Sequence, residues 1–373
     1  MNILIFSWRG LNHPNSGGAE IVTHQHAKYW VKNGHRVTIF TSEYKGAKVQ
    51  EIINGVTYYR SGHAVIGTHI RACWWYLYCK KENFDLVVDQ FHGIPYFTPL
   101  YVRSKKLAFI HEVTKEIWFL NQLPKPFNYL VAIVGFYLEP LIFKIIYKNV
   151  KFLTVSNSTK NDLVNWGINK TKIHVVHNGV SIIKPYSLIK NSRPTITFLG
   201  ALAKDKGIED TIKVFEKLHR KYSEWQFWII GEGDKKYKEY LKKVIFRDVG
   251  RGKVKFWGFV SEKDKFKLLA KSQILLNPSI REGWGLVNIE ANSVGTPVVG
   301  YNTQGTKDSV KNNKTGFLVK LGDVQGLANK VEQLVLDKKL YQNISQECLN
   351  WSKKFKWTEQ AQKSLVLISN LDL

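Results

Sequence analysis

The stretch from Pro278 to Gly300, PSIREGWGLVNIEANSVGTPVVG, holds two glutamates, Glu282 and Glu290, with seven residues between them. Gly283, Trp284 and Gly285 stand directly after the first. The apolar run SQILLNPS (272–279) before them reads as a buried strand, and the spacing from Gly285 onward predicts a helix. REGWG is then the loop at the carboxyl end of a strand. Backbone N–H groups of Gly285 and Leu286, backed by the helix dipole, make a site suited to a diphosphate. Glycines let a phosphate come close to the backbone. A carboxylate beside a phosphate repels it, but one that accepts hydrogen bonds from sugar hydroxyls is favourable. The pattern fits a ligand with hydroxyls on both sides of a diphosphate, a nucleotide-sugar, with one glutamate for the ribose and one for the transferred sugar.

Other residues of chemical interest stand where strands end. Lys206, in ALAKDKG, follows the strand TITFLG. Gly17 and Gly18 end the loop SWRGLNHPNSGG at the mouth of a helix, a second anion-binding start. His111 closes the strand LAFIHEV, Gly231 and Gly233 follow the strand WQFWII, and Asn178 and Gly179 form a turn. Asp89 and His92, in DQFHG, end another strand and are candidate acceptor contacts, as is Asn178. No clustered Asp-x-Asp of the kind that chelates a metal-nucleotide is seen, so no metal and no cofactor are expected.

The elements that must position these groups alternate. ILIF, a glycine-rich loop, the helix AEIVTHQHAKYWVKNG and the strand HRVTIF form a βαβ unit of a parallel sheet. FDLVVDQF (84–91), KLAFIHEV (106–113), VKFLTVSNSTKNDLVNWG (150–167, strand, cap at Ser156 or Asn157, then helix) and KIHVVHNGV (172–180) continue it. After the polar connector 184–194 the rhythm restarts with strands at 195–200, 225–234, 254–260, 272–279, 296–302 and 316–320. Helices are expected at 208–219, about 324–337 and 339–353, with a last one after 354. The fold class is α/β, two Rossmann-like doubly wound parallel-sheet domains facing a central cleft that holds the ligand. The expected boundaries are 1–183, linker 184–194, 195–353, and a C-terminal helix 354–373 crossing back to the first domain.

The formal net charge of +25 favours anionic partners or a lysine-rich solvated surface. Basic residues are spread along the chain without a nucleic-acid module, so no nucleic acid is expected. Three cysteines at 73, 79 and 348, with no histidine at ligand spacing, read as reduced thiols. YLVAIVGFYLEPLIFKIIY (129–147) is interrupted by Glu139-Pro140 and Lys144; it reads as a buried helix pair, or as an element of a membrane interface or an apolar acceptor groove.

The ordered set PNSGGAE, FIHEV, LTVSNSTKNDL, VVHNGV, FLGALAKDKG, IIGEGD and REGWGLVNIEA resembles the retaining GT-B glycosyltransferases of family 4, with their E-x7-E motif, over nearly the whole chain. The resemblance implies that Glu282 contacts the donor sugar, Glu290 the ribose and Lys206 the diphosphate. It also implies that His111 approaches the donor sugar and that the WGFV segment, with Phe259 and Val260, meets the nucleobase. The family usually has Arg directly after the glycine of FLG, where this chain has Ala201; Lys204 or another basic residue would have to substitute. The expectation is a metal-independent hexosyltransferase taking a UDP- or GDP-sugar and a glycan or lipid-linked acceptor. It would be cytoplasmic, peripheral on an anionic membrane surface, in cell-surface glycan assembly. An epimerase or hydrolase of the same architecture, or a non-catalytic nucleotide-sugar binder, is the alternative.

Overall fold

A computed structural model describes residues 1–63, 66–80, 82–91, 93–121, 123–181, 189–248 and 252–371. The chain divides into two compact units, Met1–Gly179 with Trp357–Leu373, and Val180–Lys356. Residues 184–188 of the expected connector, and His92, lie outside the described residues.

The first unit begins β1 (Asn2–Phe6), α1 (Gly18–Lys32), β2 (Arg36–Thr41), β3 (Gln50–Ile53), β4 (Val56–Arg60) and α2 (Ile66–Trp74). It continues β5 (Leu86–Phe91), β6 (Lys105–Ile110), α3 (Phe127–Ile146), β7 (Lys151–Thr154), α4 (Asn157–Asn165) and β8 (Ile173–Val175). Among the described residues its sheet runs β3-β4-β2-β1-β5-β6-β7-β8, parallel except that β3 is antiparallel to β4. β1 and β5 are buried along their whole length, as continuous apolar runs in a doubly covered parallel sheet should be. Ser156 caps α4, its Oγ accepting from the Thr159 N–H at 3.1 Å.

The second unit holds β9 (Thr195–Leu199), α5 (Ile208–Lys221), β10 (Gln226–Ile230), α6 (Lys235–Asp248), β11 (Val254–Gly258), α7 (Glu262–Lys271) and β12 (Ile274–Asn277). α8 (Leu286–Ser293), β13 (Val298–Tyr301), α9 (Thr306–Ser309), β14 (Gly316–Val319), α10 (Val324–Leu336) and α11 (Lys338–Ser352) complete it. The described strands form an all-parallel sheet, β11-β10-β9-β12-β13-β14. The order reverses between β9 and β12, the switch point at whose carboxyl ends an open α/β sheet places its ligand crevice. Beneath it Phe198, Phe215, Trp225, Phe227, Leu276 and Tyr301 belong to one apolar core.

α12 (Trp357–Ser369) returns to the first unit and packs on α1. The buried Ser364 hydroxyl meets the His26 ring at 2.8 Å and the Trp30 indole N–H at 3.0 Å.

Two expectations change. The strand read over 172–180 stops at Val175. The segment 129–147 is one helix rather than a buried pair, and most of it is exposed: Phe127, Leu130, Val134, Tyr137 and Leu141 are among its solvent-facing apolar side chains. It bends back on the unit through Glu139, whose buried carboxylate accepts from the Thr114 and Lys115 N–H groups and the Trp118 indole at 2.8, 3.2 and 2.9 Å.

Candidate functional site

The site is built in the second unit from the loops after β9 and β12. The first loop tightens into a 3-10 turn, Lys204–Lys206, closed by Gly207. Gly207 has φ +72°, and a Cβ there would lie 2.1 Å from the Pro278 carbonyl oxygen, so only glycine lets the two loops meet. The Ile280 N–H then donates to the Asp205 carbonyl at 2.8 Å. This tether delivers Lys206 to Glu282: Nζ lies 3.1 Å from Oε1. Both side chains are largely covered, with exposures of 25% and 16%, so the pair is shielded from solvent screening without being sealed.

Glu282 is held from three further sides. The Ser279 hydroxyl lies 2.8 Å from its Oε1, its backbone N–H donates to the Gln304 carbonyl at 3.0 Å, and Gly305 backs onto its carbonyl. Gly305 has φ +75°, and a Cβ there would sit 2.0 Å from that carbonyl oxygen.

α8 opens at Gly285 with no side-chain cap. Its start is aligned by a buried polar chain: Asn277 Nδ2 donates to Asn288 Oδ1 at 2.8 Å, and Asn288 Nδ2 to Ser309 Oγ at 2.9 Å. One turn on, Glu290 is buried, and Lys265 Nζ from α7 lies 2.7 Å from its Oε1. Burial pushes the Glu290 carboxyl above its ordinary range while Lys265 pulls it down. Burial works to lower Lys265 too, but Glu290 and Glu262 outweigh it and raise it.

The other predicted donor residues divide. Glu282, Gly283 and Leu286 stand at the helix mouth, partly open, and Gly285 between them is buried. Trp284 does not: it is 2% exposed and lies edge-on to Phe355 with centroids 5.1 Å apart, so it anchors the loop to the core. Gly231 and Gly233 line the seam between the loops after β9 and β10, where the Leu202 N–H donates to the Glu232 carbonyl at 2.9 Å. Phe259, directly after β11, is 86% exposed, and Val260 packs against the cluster of Trp228, Ile230 and Leu268. Ala201 and Lys204 are exposed on the β9 loop.

The remaining candidates belong to the first unit. His111 is buried at the end of β6; its carbonyl accepts from Thr159 Oγ1 at 3.1 Å and its ring leans on Phe109. The mouth of α1 is already capped, because the Gly17 N–H donates to Glu20 Oε2 at 2.7 Å and Arg9 pairs with the same carboxylate at 3.4 Å. This carboxylate repels an anion at Gly17 and Gly18 and weakens the phosphate reading of that start. Asp89 is corrected more firmly. It is fully buried, and its oxygens accept from the Tyr96 N–H, the Thr98 N–H and hydroxyl, and the Tyr147 hydroxyl. It pins the sheet end and has no surface to offer an acceptor. Asn178 is buried as well, its Oδ1 without a hydrogen-bond partner, and Gly179 beside it backs onto Trp357.

Two family models match end to end, "Glycosyltransferase Family 4" over residues 16–183 and "Glycosyl transferases group 1" over residues 181–351. An uncharacterized glycosyltransferase of Methanocaldococcus jannaschii is 23% identical over 346 residues, 86% of each chain. The capsular polysaccharide biosynthesis glycosyltransferase CapM of Staphylococcus aureus is 27% identical over 217 residues, 52% of this chain and 54% of that one. Among solved structures, Anabaena HepE in complex with UDP and glucose superposes with a TM-score of 0.75 at 17% identity, covering 99% of both chains.

Proposed function

This chain is a glycosyltransferase with the GT-B fold, and we propose that it moves a hexose from a UDP- or GDP-sugar to an acceptor hydroxyl with retention of configuration and without a metal. The observation that carries the reading is the Lys206–Glu282 pair at the mouth of α8, a cation and a sugar-binding carboxylate 3.1 Å apart beside an uncapped helix start. In the free protein each satisfies the other. When donor binds, the diphosphate lies against the N–H groups of Gly285 and Leu286. Lys206 then turns from the carboxylate to the phosphate oxygens, offsetting the charge that builds on the leaving nucleotide. Glu282, released, accepts hydroxyls of the hexose, and Glu290 those of the ribose. The exposed Phe259 ring offers a face for the base. Lys206 and the helix end supply the positive charge that a metal gives elsewhere, the leaving diphosphate takes the acceptor's proton, and no protein nucleophile is needed. HepE, with UDP and glucose, supports the donor class, and CapM supports a role in glycan assembly.

The test is incubation with UDP- and GDP-hexoses plus EDTA, reading released nucleoside diphosphate and the anomeric signal of the product by NMR. Transfer with retention under EDTA agrees with the proposal. An isomerised donor, or free sugar alone, points to the epimerase or hydrolase. Inversion, or silence with EDTA and turnover on adding a divalent cation, contradicts it.

The same proposal places the enzyme on an anionic membrane from the cytoplasmic side, acting on a lipid-linked or glycan acceptor. The support is α3, twenty residues with a mean hydropathy of 1.8 and 17% of its most apolar window buried. Lys125 and Lys148 flank it and Lys144 stands in its last turn, all exposed. By length and composition it could cross a bilayer, but Glu139 ties its middle to the unit and Phe143 lies in the core. A helix so fixed, apolar outward and basic at its ends, suits a lipid surface.

A further inference from the structure

Lys265 stands where local rules disfavour a cation. It is the fourth residue of α7, within the positive end of the helix dipole, and its side chain is 12% exposed beside the buried Phe266, Leu268 and Leu269. What offsets these costs is a pair of carboxylates. Nζ lies 2.7 Å from Glu290 Oε1 and 2.6 Å from Glu262 Oε1. Glu262 is 67% exposed, whereas Glu290 is 8% exposed and has no other side-chain partner among the described residues. The charged groups acting on the Glu290 carboxyl are Lys265 and Glu262, both from α7. On α9 and α11, the other helices packed on α8, the cations Lys307, Lys338 and Lys339 form no ion pair with it among the described residues, and Asp308 and Glu347 are like-charged.

We infer that Lys265 is a positioning residue for the ribose end of the donor site: it grips Glu290 by Oε1 and keeps the carboxylate charged, so that Oε2 accepts the ribose hydroxyls. The inference rests on the proposal that Glu290 holds the ribose. Without the ammonium, burial acts on this carboxyl unopposed and favours its protonated form. A protonated carboxyl gives one hydrogen away and loses the strength of an anionic acceptor.

The experiment is calorimetric titration of UDP and GDP, using whichever the wild type binds, between pH 6 and 9, with thermal unfolding as the check on folding. Wild type and Lys265→Arg should show flat profiles. Lys265→Met should bind nearly as well at pH 9 and lose about tenfold for each pH unit below its inflection. Glu290→Gln, alone or combined with Lys265→Met, should bind weakly and without pH dependence. A 2′,3′-dideoxy nucleoside diphosphate should bind wild type and Lys265→Met alike. If Lys265→Met does not fold, Lys265→Gln carries the same expectation. A flat profile for the uncharged variant, with Glu290→Gln weakened, overturns the role of Lys265 alone. Glu290→Gln binding as tightly as wild type overturns the ribose assignment, and wild type binding no nucleoside diphosphate overturns the proposed function itself; this inference falls with either.

Discussion

Gly305→Ala tests whether the backbone behind Glu282 sets the catalytic geometry. The residue has φ +75° and ψ −45°, outside the left-handed α region and near the rare γ-turn, a conformation that costs an alanine roughly 1–3 kcal/mol. Its new Cβ would also start 2.0 Å from the Glu282 carbonyl oxygen. Ordinary contact, from about 3.4 Å, requires the Glu282 backbone to retreat by about 1.4 Å, and a shift of about 1 Å already costs about 10²-fold in rate. Gly322, in the same unit, supplies the control: φ is +84° and nothing lies within 4 Å of its Cβ position. Both variants should lose melting temperature, by roughly 2–8 °C for a unit of this size. Only Gly305→Ala should also lose about 10²-fold in kcat/KM, measured as nucleotide release with acceptor present. If it keeps the kcat/KM of Gly322→Ala, the position of Glu282 does not govern turnover, and the reasoning fails.

Three further outcomes are expected. Lys206→Met should lower kcat by about 10²–10³ in initial-rate assays, because the charge it offsets develops in the transition state. Leu130→Glu with Tyr137→Glu removes two side chains that are 60% and 67% exposed on α3. Together they are worth about 2–3 kcal/mol of transfer, so flotation with anionic vesicles should weaken roughly 30- to 150-fold while activity on a soluble acceptor persists. His26 is fully buried and its pKa is pushed down to about 4. A depressed histidine stabilises the fold above its unfolded pKa, near 6.5, and that stability drains away as pH falls from there to about 4. Denaturant titrations of His26→Gln should show a pH slope in that window shallower by one proton.

The parallel strands were legible because their buried runs are apolar end to end; β1, β5 and β12 lie where ILIF, LVVDQF and ILLN predict. Lys206 and Glu282 were each legible because each follows a strand; that they meet is set by the carboxyl ends of β9 and β12 converging at the reversal of strand order. What escaped was set by tertiary contact. The β3–β4 hairpin and α2 lie in 43–83, where no clear period shows. Asp89 looked like a strand-end acceptor contact, but its partners Tyr96, Thr98 and Tyr147 come from separate segments. Hydropathy gave α3 its apolar composition without saying which medium the face would meet. Lys265 reaches Glu290 from a helix 25 residues earlier, and no local spacing announces the pair.

The most direct measurement is calorimetry of a nucleoside diphosphate and of its hexose conjugate on wild type, Glu282→Ala and Glu290→Ala. Glu290→Ala should weaken both ligands by the same factor, because both carry the ribose. Glu282→Ala should leave the diphosphate's affinity unreduced and weaken the conjugate alone. Equal weakening of both ligands by Glu282→Ala, or unchanged binding of the conjugate by either variant, would contradict the assignment of one carboxylate to each sugar ring.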